Sequence, residues 1–258
     1  MLSVFFSNQS NELRYQSYLS TTQSQKRTNS SFLAIVDEWI ENLRTQEQAL
    51  HNYKKGLTQK IFSQMIRFKD DNGDNFPGWK TMSGDAVFTS VSNKDHNSDL
   101  PILAVTQDKG AVPRETIDYN VIVSEKSVES YKVVEVGDFI ISLRSFQGGI
   151  EYSGFKGICS PAYIILRPKV DICVGFFKSY FKTDAYIKLL TKKLEGIRDG
   201  KMISYKYFSE AGLEIPSIKE QEKIADFLMS IDNLINDKQI QLEKAEEWKK
   251  GLLQNLFV

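Results

Sequence analysis

Apolar residues recur every seven positions in the part of the chain that follows residue 31. The recurring positions are Val36, Leu43, Leu50 and Leu57, with Trp39 and Tyr53 at intervening positions. This heptad spacing predicts a long helix with a coiled-coil seam. A second long helix is predicted after Pro216, because Ser217 followed by Glu220 forms an S-x-x-E capping box. Its apolar series is Ile231, Leu234, Ala245, Trp248 and Leu252.

The two predicted helices are copies of one element. KKGLTQKIF at 54–62 and KKGLLQNLF at 249–257 agree at six of nine positions. The same offset, 195 positions (249 minus 54), aligns Asp37 with Asp232 and Ile40 with Ile235. Residues 32–62 and 227–257 therefore form an internal repeat. Two seams of equal length are suited to burying each other.

Between the helices, short apolar runs alternate with turn residues, which is typical of strands. The predicted strands are DAVFTSV, PILAVTQ, YNVIVS, KVVEVGDFIISL and AYIILRP, and one amphipathic helix is predicted in FFKSYFKTDAYIKLLTKKL. The fold class is α+β, with one globular domain of short strands and helices between two long helices. The predicted segments are a polar arm or remnant at 1–31, the first long helix at 32–66, the globular domain at 67–216 and the second long helix at 217–258.

Composition excludes some classes of protein but does not identify a function. The chain has 33 basic and 33 acidic residues, so no field of the whole protein attracts nucleic acid or a membrane. No apolar run reaches the length of a membrane span, and we expect a soluble, unexported, cytoplasmic protein. The two cysteines, Cys159 and Cys173, lie in apolar surroundings and are expected to be free thiols rather than a disulfide.

Motifs for catalysis are not found in the sequence. It has no phosphate-binding G-x-x-x-x-G-K-[ST] loop, and its two histidines, His51 and His96, have no spacing that suggests a metal cluster or a triad. DDNGD at 70–74 resembles the start of a calcium loop, but Thr81 stands where that loop needs Glu, which favours a plain turn. We therefore predict no catalytic residue, no metal and no cofactor.

Basic residues concentrate in one stretch near the end of the globular domain. From Lys178 to Lys206 there are eight basic and three acidic residues. Lysines and hydroxyls suit DNA phosphates, and an arginine there is able to reach a base edge. The alternative is the solvated face of an amphipathic helix.

A second candidate surface is ISLRSFQGG, where a predicted strand leads Arg144, Ser145 and Gln147 into a tight turn at Gly148 and Gly149. Arginine reads guanine and glutamine reads adenine through paired hydrogen bonds, and a Gly-Gly turn allows backbone to approach a groove. An ordinary hairpin explains the same residues.

Taken together, four strings resemble the specificity (S) subunit of type I restriction-modification systems. They are FKDDNGDNFPGWK, GDFIISLRSFQGGIEYSGFKGICSPAYIILRPK, EGIRDGKMISYKYFSEAGLEIPSIKEQEKIADFL and the two K-K-G-L-x-Q-x-[IL]-F helix ends, and the resemblance covers 32 to 258. It implies a target recognition domain that reads DNA and two long helices, packed as an antiparallel coiled coil, that dock methyltransferase subunits. A full subunit has two such domains, and this sequence resembles a half-subunit.

The resemblance implies a non-catalytic reader of double-stranded DNA that binds methyltransferase (M) subunits and, through them, the restriction (R) subunit. The half-subunit would form a homodimer or pair with another half. Residues expected to approach bases are Arg144, Ser145, Gln147, Arg198, Lys201 and Ser204, and residues expected to hold phosphates are Lys80, Lys94, Lys109, Lys192 and Lys206. Trp39, Tyr53 and Trp248 are expected to anchor a partner, or else to be buried between the two helices.

Other functions remain open at this point. The chain is alternatively a coiled-coil adaptor that binds no DNA, an inactive fragment of a split specificity gene, or a nuclease or methylase with an unrecognised site.

Overall fold

A computed structural model describes the backbone of residues 2–97, 99–117, 128–192 and 203–256, and within these ranges the side chains of residues 29–254. The first helix, α1, runs from Leu2 to Phe62. The sequence predicted its start at residue 32, with a polar arm before it. The helix begins earlier because no glycine or proline precedes Gly56, so nothing interrupts its hydrogen bonds.

The remaining elements are short, apart from the last helix. In chain order they are β1 Lys80–Ser83, α2 Gly84–Val87, β2 Phe88–Val91, β3 Leu103–Thr106, β4 Gly110–Pro113, a 3₁₀ turn Arg114–Thr116, β5 Lys132–Val134, β6 Phe139–Ile141, α3 Ser145–Gly148, β7 Glu151–Tyr152, β8 Gly157–Cys159, β9 Ile164–Pro168, α4 Val174–Tyr180, α5 Asp184–Thr191, α6 Tyr205–Glu210, β10 Gly212–Ile215 and α7 Ile218–Leu256. Mixed short elements between two long helices confirm the α+β prediction.

The chain divides into two compact units. A helical unit comprises Met1–Lys54 and Ile231–Val258, and a mixed unit comprises Lys55–Ser230. Both long helices contribute to both units, so the units do not coincide with the predicted segments.

In the helical unit, α1 and α7 run antiparallel. Lys54 pairs with Asp232 at 2.5 Å, and Asp37, an earlier residue of α1, pairs with Lys249 near the end of α7, also at 2.5 Å. The offset of the repeat relates one pair to the other, since Asp37 aligns with Asp232 and Lys54 with Lys249. The internal repeat therefore has a geometric counterpart in two equivalent ion pairs.

The helical core uses the predicted seam in part. Val36, Ile40 and Leu43 are buried at i, i+4 and i+7 together with Ala245. The predicted seam residues Trp39, Tyr53, Leu234 and Trp248 are instead about half exposed. Ala245 is the α7 residue buried in this cluster, and the large aromatic side chains lie outside it.

The mixed unit has a core rich in phenylalanine and one larger sheet. Its four-stranded sheet has the order β2-β9-β6-β7, and the two-stranded ladders are β1-β10, β3-β4 and β5-β8. Phe88, Phe139, Phe177 and Phe181 are fully buried and pack edge-to-face or tilted on one another. This core holds the loops that carry the candidate site.

Several local predictions need correction. KVVEVGDFIISL forms two strands, β5 and β6, because Gly137 turns the chain with φ 98°. The predicted helix from Phe176 is two helices, since Thr183 caps α5 by accepting the N–H of Tyr186. The predicted strand YNVIVS falls outside the described residues.

The predicted start of the last helix is confirmed. The hydroxyl of Ser217 accepts the N–H of Glu220 at 3.4 Å, as a cap requires. The carboxylate of Glu220, which is fully buried, receives two hydrogen bonds from Arg67 at 3.1 and 2.7 Å.

Both cysteines are free thiols; Cys159 is buried and Cys173 is partly buried. Across the described helices, none has the long uncharged apolar stretch needed to cross a membrane.

Candidate nucleic-acid interface

The loop after β6 presents two of the predicted base-reading side chains to solvent. Arg144 and Gln147 are exposed, and the N–H of Gln147 donates to the carbonyl of Arg144 at 2.8 Å in the single turn of α3. Ser145 is only 1% exposed, and its hydroxyl accepts the N–H of Ser142 at 2.8 Å. Ser145 therefore stabilises the loop from inside and does not face a ligand.

The two glycines of this loop serve contacts within the protein. Gly149 has φ 83°, and a Cβ at this position would lie 2.2 Å from the carbonyl oxygen of Phe181. A Cβ at Gly148 would lie 2.6 Å from the side chain of Gln107. The loop is a single helical turn packed on neighbouring elements, and it is neither the predicted tight turn at Gly148 and Gly149 nor the alternative hairpin.

The basic stretch is only partly available for DNA. Lys182 binds the buried carboxylate of Glu151 and donates to the carbonyl of Gln107 at 3.1 Å. The ammonium of Lys178 lies 5.0 Å from the ring centroid of Tyr152. Ser204 caps α6 by accepting the N–H of Tyr207 at 3.3 Å, so its hydroxyl has a structural partner. Arg198 and Lys201 lie outside the described residues.

The predicted phosphate lysines are all exposed but lie on separate elements. Lys80 begins β1, Lys94 lies in the loop after β2, and Lys109 lies in the turn between β3 and β4. Lys192 is the C-cap of α5, and Lys206 is in the first turn of α6. Of these five, Lys94 is the one that lies near another lysine, Lys132.

Backbone pairing places the loop that carries Lys94 against the strand that carries Lys132. The carbonyl of Asn93 accepts the N–H of Val133 at 2.7 Å, which holds the Lys94 loop against the start of β5. Lys132 pairs with Cys159 across the β5-β8 ladder, and its ammonium donates to the carbonyl of Tyr163 at 2.7 Å. The pKa of Lys132 is lowered, mainly because the ammonium is partly buried. Cys159 acts in the opposite direction, and the like charge of Lys94 lowers the pKa further.

Arg114 and Arg144 approach the same place from other elements. The N–H of Arg114 donates to the carbonyl of Ile102, and Ile102 forms a bridge with Ile158 of β8. Ile141 at the end of β6 pairs with Ile164 at the start of β9, which places Arg144 near Tyr163.

These neighbouring groups change the pKa of the Tyr163 phenol. Burial raises the pKa of Tyr163, the groups of Cys159 and Tyr131 add to this shift, and the charges of Arg114 and Arg144 oppose it. We call Lys94, Arg114, Lys132 and Tyr163 the cationic edge. Sequence reasoning missed three of these residues, because no local pattern marks them and only strand pairing unites them.

The predicted partner-binding aromatics lie on the surface of the helical unit. Trp39, Tyr53 and Trp248 are 48%, 57% and 47% exposed. Trp248 packs edge-to-face on Trp39, with ring centroids 6.3 Å apart, and on Phe32 at 6.0 Å. These rings cover one another while keeping about half of their surface open. In the described ranges, no three His, Cys, Asp or Glu side chains are grouped to hold a metal ion.

Comparison with known sequences identifies relatives of one kind. The model of the type I restriction modification DNA specificity domain matches residues 78–244. The chain is 25% identical over 244 residues to the putative type I restriction enzyme MjaX specificity subunit of Methanocaldococcus jannaschii, covering 88% of this chain and 55% of that protein. It is 29% identical over 255 residues to the MjaVIII specificity subunit of the same organism, covering 88% and 58%. The chain thus spans little more than half the length of these relatives.

Solved structures share the fold. The S subunit of a type I restriction-modification system from M. genitalium superposes with a TM-score of 0.54 at 17% identity, over 91% of this chain and 61% of that chain. A structure described as the basis of complex assembly and conformational transition of the type I R-M system gives a TM-score of 0.51 at 18% identity, over 89% and 58%. At these identities the likeness concerns the fold alone.

Proposed function

This chain belongs to the family of type I restriction-modification DNA specificity subunits, and from that premise we propose that it reads one half of a bipartite DNA target and docks methyltransferase subunits. The observation that carries the proposal is the family match, which covers most of the mixed unit and part of α7. The proposal places the chain in the cytoplasm, where its DNA target is found.

Reading of the target is assigned to exposed polar side chains of the mixed unit. Arg144 and Gln147 stand on a loop that is tied to the core by the Ser145 hydroxyl and by the close packing of Gly149. A fixed loop keeps the two side chains ready for base edges, and each paired hydrogen bond with a base discriminates by about 1–3 kcal/mol. The exposed lysines Lys80, Lys109, Lys192 and Lys206 supply weaker contacts that do not depend on sequence.

Docking is assigned to the helical unit. Trp39, Tyr53 and Trp248 have about half of their surface open, and exposed aromatic side chains are frequent anchors of protein interfaces. The chain itself is a non-catalytic recognition subunit. Methyl transfer from S-adenosylmethionine belongs to the M subunits, and cleavage of DNA belongs to the R subunit that they recruit.

A two-part target needs two recognition surfaces. This chain has one mixed unit with repeated helical segments on either side of it in the sequence, and it spans 55% and 58% of its two curated relatives. A second copy of the chain, or another half-subunit, would supply the other surface. A symmetric homodimer requires identical half-sites in inverted orientation, because the same surface faces both.

Selection from random DNA tests the proposal. The chain is purified with its cognate M subunit, and the complex is used to enrich a pool of random duplexes, with the M subunit alone as control. We expect a two-part motif that only the complex enriches, with inverted-repeat halves if the chain is a homodimer. A stable complex that enriches no motif would favour the coiled-coil adaptor, and a chain that neither binds M nor enriches DNA would favour an inactive fragment.

A further inference from the structure

The turn between β3 and β4 brings a glutamine against the loop that carries Arg144 and Gln147. Gln107 is exposed, and its side chain lies on Gly148 of that loop. A Cβ at Gly148 would be 2.6 Å from the amide carbon of Gln107 and 2.7 Å from its amide nitrogen. A polar side chain from a different element therefore packs on the loop to which base reading is assigned.

Lys182 fixes the backbone of this glutamine. Its ammonium donates to the carbonyl of Gln107 at 3.1 Å and also binds the buried carboxylate of Glu151. Lys182 directly follows Phe181, whose carbonyl oxygen is the atom on which Gly149 packs. The contacts form a closed ring, because the loop packs on Phe181, Lys182 holds the Gln107 backbone, and the Gln107 side chain returns to the loop.

The rest of the turn is held as well. The hydroxyl of Thr106 accepts the N–H of Lys109 at 3.1 Å and donates to the carbonyl of Gly110 at 3.0 Å. Gly110 has φ 74°, and a Cβ there would lie 2.7 Å from the carbonyl oxygen of Tyr152 in β7. The turn is thus fixed before any ligand arrives, which lowers the cost of ordering it on binding.

The side-chain amide of Gln107 keeps its hydrogen-bonding groups for a ligand. In the part of the chain that the structure describes, the amide oxygen and nitrogen of Gln107 have no hydrogen-bond partner, although the backbone carbonyl has one. A glutamine amide offers one acceptor and one donor side by side, which is the pattern that pairs with N6 and N7 of adenine in the major groove. The amide is therefore held in place by packing while its polar atoms stay available.

We propose that Gln107 is a third base-reading residue, which recognises an adenine beside the bases that Arg144 and Gln147 read. Lys182 is a positioning residue, because it acts through the Gln107 carbonyl. The inference rests on the proposed function and adds to it a specificity-determining side chain from outside the loop.

The test compares variants in the purified complex with the M subunit, by enrichment from random duplexes and then by anisotropy with single-base-pair changes in the selected motif. Gln107→Met keeps the length of the side chain on Gly148 but removes the amide. Gly148→Ala keeps the amide but displaces it, and the backbone of Gly148 lacks the positive φ that would strain alanine. Gln59→Met is the matched control, because it makes the same change at an exposed glutamine of α1.

We expect Gln107→Met to relax selection at one A·T pair of the half-site by about tenfold. The other positions and the salt dependence should not change, because no charge is removed. Gly148→Ala should relax the same base pair, and combining it with Gln107→Met should cause no further loss of preference there. Gln59→Met should select the motif of the unaltered complex.

The proposal is overturned if Gln107→Met selects the full motif, since the amide would then serve packing alone. It is also overturned if Gln107→Met weakens all duplexes equally, or if the relaxed position is not an A·T pair. Gln107→Met carries the test even if Gly148→Ala fails to fold, because Gln107 is exposed. Failure of the proposed function has a different signature, namely that the unaltered complex enriches no motif at all.

Discussion

The helical unit and the mixed unit place their important residues in opposite ways. In the helical unit, Asp37 pairs with Lys249 and Lys54 pairs with Asp232. One sequence offset relates the two ion pairs, so they are equivalent in the repeat. In the mixed unit, the cationic edge collects residues from positions 94 to 163 through strand pairing. The repeat of the helical unit can be recognised in the sequence. The grouping of residues in the cationic edge can be recognised only in the structure.

The two units also differ in where they place charge. The two repeat-related ion pairs of the helical unit include Asp232 at 52% and Asp37 at 53% side-chain exposure. The mixed unit buries Asp138, which is 1% exposed and accepts two hydrogen bonds from Arg167. The mixed unit thus has a buried charged pair beside exposed ones such as Lys156 with Glu135, whereas the two repeat-related pairs of the helical unit are exposed.

The largest expected effect comes from breaking the buried pair of the mixed unit. Asp138→Ala leaves Arg167 without its partner and removes the acceptor of the Glu135 N–H, so we expect a loss of about 3–5 kcal/mol in the free energy of unfolding. Glu135→Ala, which breaks the exposed pair with Lys156, should cost at most about 1 kcal/mol. Urea unfolding of both variants measures the difference, and equal losses would contradict the distinction between buried and exposed charge.

The next effect concerns the face that forms the helical core. Ile40 and its repeat equivalent Ile235 are 4% and 7% exposed, and each change to Ala should cost about 2–4 kcal/mol. Ile35 is 64% exposed, and Ile35→Ala should change stability by less than about 0.5 kcal/mol. Thermal unfolding followed by helical circular dichroism compares the three variants, and a costly Ile35→Ala would show that the face carrying Ile35 is also packed.

A third comparison separates docking from folding in the helical unit. Trp39→Ala and Trp248→Ala should each weaken binding of the M subunit by about 1–2 kcal/mol or more while changing thermal stability little, because both rings are half exposed. Ile240→Ala, at 39% exposure on the same helix pair, is the control and should bind M normally. Loss of stability that parallels loss of binding would assign the two rings to intramolecular packing.

The smallest effect tests the symmetry of the repeat. Asp37→Asn and Asp232→Asn each remove one exposed ion pair and should each cost about 0.2–1 kcal/mol, by nearly equal amounts. Double-mutant cycles with Lys249→Gln and Lys54→Gln measure the two coupling energies. Clearly unequal coupling energies would show that the two ion pairs, although equivalent in the sequence repeat, stabilise the protein to different extents.

Features encoded over a few neighbouring residues were predicted well. The two long helices follow from their periodicity, and the start of α7 follows from Ser217 and Glu220. Of the predicted strands, the segment AYIILRP contains β9, and DAVFTSV contains β2. Each of these depends on local spacing, which a sequence displays directly.

Features that depend on packing were missed. The heptad series placed Trp39 in the seam, but Ile40 is buried with Val36 and Leu43 instead, and the indole of Trp39 is half exposed. Ser145 was expected at the DNA, but it is buried and its hydroxyl accepts the N–H of Ser142. Arg114, Lys132 and Tyr163 were not predicted, since their proximity depends on the pairing of β5 with β8 and of β6 with β9.

The most direct test of the reader role is sequencing of modified bases in DNA from cells that express this chain with its cognate M subunit. Cells that express the M subunit alone provide the reference. The account predicts a methylated two-part motif that appears only when this chain is present, and loss of that motif or a change in it with Arg144→Gln. An identical methylation pattern in both cell lines, with the chain folded and bound to the M subunit, would contradict it.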